Sequence, residues 1–263
     1  MARWIIFSYG AGKGAAAWCW LAAGLPGLAW FFFLGADMLV LYQVLVPGAQ
    51  GLLRVVTSFE TREREVWLTI DDGPDPHDTP RILAVLAEHQ ARATFFLVGE
   101  KAAQHPDLVR SILDAGHDVG HHTHTHPSGT LWFAGPRRLA RELDKALEAY
   151  AAATINRGGP VLWFRAPVGI KNLLLGRELR KRGLTCVHWS LRSWDSTARS
   201  AASVARRVMS RVKPGAIILV HEGERLHPDV RVKAVTEILG QLKLQQYRCV
   251  LPSAQQLRPR IAS

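Results

Sequence analysis

The chain has 263 residues, 48% of them hydrophobic, and Lys plus Arg outnumber Asp plus Glu by 33 to 22, a formal charge of +11. This length holds one domain with a substantial core and an appendage. The basic balance predicts an anionic partner, but no zinc-knuckle spacing, RRM-like aromatic motif or Lys/Arg-only run favours nucleic acid, which leaves a membrane or a phosphorylated substrate.

Residues 1–53 differ in character from the rest. Ala15 to Leu34 is a 20-residue uncharged run with Trp18, Trp20, Trp30 and Phe31-Phe32-Phe33, long enough to cross a bilayer. Pro26 inside it is tolerable in a membrane helix. A second run, Met38 to Leu53, is 16 residues long and contains Gln43, Pro47 and Gln50. It is short for a span and fits an interfacial segment or one packed on the domain. Arg3 and Lys13 resemble the basic start of a signal peptide. No small-x-small cleavage site follows, so 1–53 is read as a retained anchor in the cell (inner) membrane, ahead of a domain at 54–263. The basic start predicts a cytoplasmic N-terminus. One crossing then places the domain outside and two return it to the cytoplasm; both stay open. Cys19, Cys186 and Cys249 are odd in number and widely spaced, without a disulfide framework.

From Glu65 onward short apolar runs alternate with amphipathic ones. Strands are expected at Val66–Ile70, Ala93–Val98, Val161–Phe164, Thr185–Trp189, Ala216–Val220 and Tyr247–Leu251. Helices are expected at Thr79–Glu88, Ala102–Ala115, Pro136–Ala153, Leu173–Arg182, Ser200–Val212 and Pro228–Leu242. Such alternation indicates an α/β fold with a largely parallel sheet. The pattern does not separate a barrel from an open sheet.

The first strand runs into Thr69-Ile70-Asp71-Asp72-Gly73-Pro74. Strand neighbours point to opposite faces, so the two carboxylates suit two roles better than one. Alone, the stretch is more often an Asp-rich turn. Five of the 11 histidines, however, fall within residues 117–126. On a helical turn His122 and His126 would lie about 5–6 Å apart, against about 13 Å on a strand. If the segment turns, two imidazoles can meet one carboxylate, a set that binds a divalent metal and leaves positions open.

These motifs resemble the polysaccharide deacetylase family, the NodB-homology domain of carbohydrate esterase family 4. Its Thr-Phe-Asp-Asp-Gly-Pro motif is matched with Ile70 for Phe. His-Ser/Thr-x-x-His is matched by His122 to His126, Arg-x-Pro-x-Gly by Arg165 to Gly169, and Leu-x-His by Leu219 to His221. The resemblance implies a distorted (β/α) barrel of about seven strands with the site at strand carboxyl ends. It implies a metal-dependent hydrolase that removes an N-acyl group, N-acetyl above all, from an amino sugar. Asp72, His122 and His126 would hold one divalent ion, zinc by ligand type, with cobalt, nickel and manganese also compatible. Asp71 would be the general base, His221 the general acid, Arg165 the partner that orients Asp71, and the Val168 amide an oxyanion donor.

One motif departs from the family. In place of Asp-x-x-Asp-Trp the chain reads Trp189-Ser190-Leu191-Arg192-Ser193-Trp194-Asp195. Arg192 stands where the first Asp belongs, so Asp195 is assigned to His221, and Trp194 to the acetyl pocket or to ordinary packing. The departure also motivates a competing reading, a carbohydrate-binding or assembly protein whose site has decayed. An anchor beside a strongly basic domain favours a lipid-linked amino sugar as substrate, with a soluble or cell-wall N-acetylglucosamine polymer as the runner-up.

Overall fold

The computed structural model describes residues 2–154, 159–223 and 228–257. The chain begins with two antiparallel helices, α1 (Ala2–Leu21) and α2 (Pro26–Leu45). The uncharged run at 15–34 is therefore not one continuous span. Gly24 turns with φ +61°, and Pro26, which has no N–H to lose at a first helical position, starts the second helix. The second anticipated run divides likewise: 38–45 completes α2, and 46–53 forms turns that lead into the domain. Among the described residues, α2 is the helix long and apolar enough to cross a membrane.

Among the described residues nine strands follow in one sheet: β1 (Val55–Val56), β2 (Glu65–Asp71), β3 (Ala93–Leu97), β4 (Asp118–His121), β5 (Trp163–Phe164), β6 (Thr185–Val187), β7 (Leu191–Arg192), β8 (Ala216–His221) and β9 (Arg248–Cys249). Their order is β1-β6-β5-β4-β3-β2-β8-β7, with β9 also pairing β2. Every pair is parallel. The expected α/β fold, a distorted barrel of parallel strands, is thus present as a curled sheet. Its count exceeds seven through two-residue strands such as β1, β7 and β9, whose existence depends on their partners.

Strand β2 is buried from Val66 to Asp71, as a central parallel strand must be when both of its faces are covered. Leu68, Ile70, Phe95, Ile218 and Val220 point one way into a large core. That core is closed by helices α3 (Asp78–Glu88), α5 (Pro106–Asp114), α6 (Pro136–Ala153), α8 (Ala201–Met209) and α9 (Pro228–Leu244). Trp67, Phe96, Trp163, Val187 and Ile217 point the other way and fill the concave side, where the Trp67 indole donates to Thr94 Oγ1 at 2.8 Å. The helix expected at 102–115 is split into α4 (Gly99–Gln104) and α5. Pro106 is the reason: it cannot donate within a helix and begins the next one instead. The remaining helix, α7 (Leu175–Lys181), lies within the stretch expected for it.

Candidate active site

The site stands at the carboxyl ends of β2, β4 and β8. Parallel register sets Asp71 beside His221 on β8, so a carboxylate and an imidazole meet because two adjacent strands stop at the same level. Past Asp71 the backbone turns at Asp72, with φ 75°, and the second carboxylate swings away from the first. Past β4, His122 N–H donates to Leu97 O at 3.0 Å, and a turn through Thr123 (φ 66°) and His126 (φ 52°) brings the two imidazoles together. Their ring centroids are 4.9 Å apart. The Glu142 carboxylate holds this turn by accepting from the N–H groups of His124 and Thr125 and from the Thr125 hydroxyl.

Asp72, His122 and His126 offer ligand atoms that all lie within 4.8 Å of one another. Asp72 Oδ1 is 3.4 Å from His122 Nε2 and 3.1 Å from His126 Nε2, and it is buried with no hydrogen-bond partner. On the far side of its ring His122 Nδ1 lies 2.8 Å from Arg165 O, which can only accept. That contact places the proton on Nδ1 and leaves the Nε2 lone pair facing Asp72. An orphaned carboxylate oxygen and an imidazole lone pair converging with no donor between them fit a cation. Burial opposes charge on Asp72, but the two imidazoles facing it hold its carboxyl well below the usual range.

Asp71 is 2% exposed and has a different partner. Its Oδ1 accepts from Arg165 Nη1 at 2.7 Å. Arg165 is wholly buried, and it also donates to Thr69 Oγ1, Val187 O and His188 O. The guanidinium is thereby locked in the orientation that serves Asp71.

Across the cavity His221 Nδ1 lies 2.8 Å from Asp195 Oδ1. Burial disfavours its charge, yet the Asp195 carboxylate, with Asp71 and Asp72 behind it, raises it to about 9. Asp195 also accepts from Ser193 Oγ. The chain therefore supplies from Asp195 the contact that Arg192 cannot make.

A cavity of about 130 Å³ is lined by Asp71, Asp72, His122, His126, Val168 and His221 among others. Arg165 and Asp195 stand behind Asp71 and His221 rather than in its wall. Val168 has φ 50°, a left-handed conformation that is costly for a β-branched residue. Together with Asp72, Thr123, His126 and Trp194 it makes five non-glycine residues at this site in that region, each costing about 1–3 kcal/mol. Trp194 is not among the lining residues. Its ring lies under the Arg192 guanidinium at 4.1 Å, while Trp189 and Arg192 line the cavity.

Two polar neighbours had no such signal in the sequence. Lys101 donates to the Asp72 carbonyl at 2.7 Å, and nothing local distinguishes it from other helix lysines. Glu222, signalled only by following His221, is buried and accepts from Thr79 Oγ1. Burial pushes its carboxyl up to about 8, against the Thr79 hydrogen bond.

A family model described as polysaccharide deacetylase matches residues 59–187. A chitooligosaccharide deacetylase of Sinorhizobium fredii is 39% identical over 171 residues, 65% of this chain and 78% of the relative. The crystal structure of a peptidoglycan N-acetylglucosamine deacetylase is 32% identical with TM-score 0.66, covering 74% of this chain and 89% of that one. A pseudoenzyme of carbohydrate esterase family 4 from Bacillus anthracis is 26% identical with TM-score 0.65, covering 74% of this chain and 66% of that one. With a relative matched at this identity over more than three quarters of its length, the chain belongs to the polysaccharide deacetylase family.

Proposed function

We propose that this chain hydrolyses the N-acetyl group of an amino sugar, with Asp72, His122 and His126 holding one divalent ion. The observation that carries the reading is the separation of partners: Asp72 faces the imidazoles with an unpaired oxygen, whereas Asp71 is tied to Arg165 and His221 to Asp195. Zinc suits two imidazoles and a carboxylate; cobalt, nickel and manganese are compatible. When bound, such an ion supplies Lewis-acid polarisation of the acyl carbonyl and makes water more acidic.

The residues themselves divide the proton traffic. Asp71, oriented by Arg165, accepts the proton of the attacking water. His221, kept protonated by Asp195, delivers a proton to the amine as the carbon–nitrogen bond breaks. The Val168 amide, at the cavity wall, is the donor for the oxyanion. Charge +11 and a preceding pair of apolar helices favour an amino sugar on a membrane lipid over a soluble polymer, and a membrane location for the protein.

Arg192, in place of an acidic residue, supports the second reading, a site that has lost turnover while keeping the fold. Acetate release from N-acetylglucosamine oligomers and from a lipid-linked N-acetyl amino sugar, with added Zn²⁺, separates the two. Asp71→Asn should keep metal and lose turnover by roughly 10²–10⁴, and His122→Ala should lose both. Full activity in Asp71→Asn overturns the assignment of roles.

A further inference from the structure

Helices α1 and α2 are 20 residues each, about 30 Å long, the thickness of a bilayer's hydrocarbon; α2 is apolar enough to cross by itself, and α1, less apolar, lies antiparallel against it. Both of their open ends lie at the domain: Ile5 packs with Val44, Leu52 and Leu53. The turn at 22–25 is consequently a full helix length away. Between Arg3 and Arg54 the only charged residues are Lys13 and Asp37, and these pair at 2.8 Å, as charges within hydrocarbon must. Phe7, Trp18 and Phe31 are 74%, 64% and 69% exposed, an apolar surface too large for a helix pair in water. Arg3 stands in the first turn of the hairpin and Arg54, Arg62 and Arg64 follow it, whereas the turn between the helices carries no charge. By the positive-inside rule both open ends are cytoplasmic.

The base of the hairpin is joined to the catalytic loop. Lys171, wholly buried, donates through Nζ to the carbonyls of Val46 and Pro47, just past the C-terminal end of α2, where the helix dipole favours a cation. The next residue, Asn172, donates to the carbonyls of Leu131, Trp132 and Ala134. Two consecutive residues thus fix both the end of α2 and the 131–134 turn to the loop that carries Val168. Trp132, Phe133 and Leu173 are 44%, 56% and 53% exposed beside this junction. Aromatic residues at such a level suit the headgroup region of a bilayer.

We propose that the hairpin enters the membrane from the cytoplasmic face and returns to it, and that Trp132, Phe133 and Leu173 rest among the headgroups of that leaflet. The cavity then meets amino sugars carried on lipid at the cytoplasmic surface. The substrate in this statement rests on the deacetylase reading above; the sidedness and the contact do not.

Three measurements on the full chain test it. An epitope fused after Ser263 should be digested in inside-out vesicles and protected in spheroplasts, and the reverse overturns the sidedness. The three native cysteines are buried, so Phe133→Cys adds one reactive thiol. A polarity-sensitive dye on it should shift to the blue on vesicles and be quenched by headgroup-level nitroxide lipid; emission as in water overturns the contact. The triple variant Trp132→Ser, Phe133→Ser, Leu173→Ser should lose tenfold or more in turnover of a lipid-linked N-acetyl sugar and stay within twofold on a soluble oligomer. Equal loss, or no loss, on both substrates overturns the rim. The first two readouts involve no turnover, so failure of the unaltered chain on both substrates would sink the deacetylase reading alone.

Discussion

Asp195 grips His221 twice, with Oδ1 2.8 Å from ring Nδ1 and Oδ2 accepting the His221 backbone N–H at 2.7 Å. The raised value of about 9, against an ordinary 6.5, means that the imidazolium persists through neutral pH. The stability it contributes is fully present below pH 6.5 and is lost as pH rises through about 9. Turnover that needs this acid should fall on the same alkaline limb. In Asp195→Asn the limb should move down toward 6.5, where an ordinary imidazole is about 3% protonated at pH 8. At that pH kcat should therefore drop roughly 30-fold. Turnover measured from pH 6 to 10 checks this; an unmoved limb removes Asp195 from the role.

Arg165 and Asp71 form a pair with almost no solvent access, at 0% and 3% side-chain exposure. Deleting the guanidinium leaves a buried carboxylate without a counter-charge and removes a donor from the carbonyls of Val187 and His188. Arg165→Ala should cost about 3–5 kcal/mol, read as a fall of roughly 10 °C or more in Tm. Arg165→Lys should recover part of the stability and little of the activity, since one ammonium cannot serve four acceptors in fixed directions.

Metal should stabilise the fold through three side chains only. After chelation, adding Zn²⁺ to about 100 times its Kd should raise stability by about 2.7 kcal/mol. The gain should vanish in Asp72→Ala, His122→Ala and His126→Ala and persist in Asp71→Asn. Thermal melts with and without Zn²⁺ decide this; an undiminished gain in Asp72→Ala would place the ion elsewhere.

Gly73 is small because Glu222 occupies the space beside it: a Cβ there would overlap Glu222 Oε1. Gly73→Ala should cost about 1–3 kcal/mol, and adding Glu222→Ala should restore much of it, a coupling of about 1 kcal/mol or more in a double-mutant cycle. Additive losses would refute the clash. The Glu222 carboxyl, raised from 4.5 to about 8, contributes stability that is complete below pH 4.5 and lost as pH rises through 8. Glu222→Gln should accordingly flatten the decline in Tm between pH 6 and 9.

The parts of the site that were legible in the sequence are those whose chemistry is written in consecutive residues. Asp71 and Asp72 end a plain apolar strand, His122 and His126 lie a turn apart, and His221 closes another strand. Asp195 was legible only by substitution, as the nearest acid to a position that Arg192 had taken. Other features are set by partners distant in sequence. The strands at 55–56, 118–121 and 191–192 are too short or too polar to show alternation, and pairing with β6, β3 and β8 defines them. The direction of Trp194 follows from its φ of 59°, a backbone choice that no side-chain pattern reports. The break at 22–25 was hidden because hydropathy does not vary across it, although Gly24 and Pro26 marked the place.

The position of β2 has a consequence for synthesis of the chain. β2 is complete at residue 71 and gains β3 on one edge by residue 97, but its other edge waits for β8, which ends at residue 221. While some 120 residues emerge from a ribosome at about 5–20 per second, the strand that ends in Asp71 presents a bare row of backbone donors and acceptors. An unpaired edge of this kind is a template for wrong pairing. A chain interrupted anywhere between residues 100 and 215 should therefore aggregate rather than yield a smaller soluble domain, and the nascent protein should engage chaperones until β8 has been made.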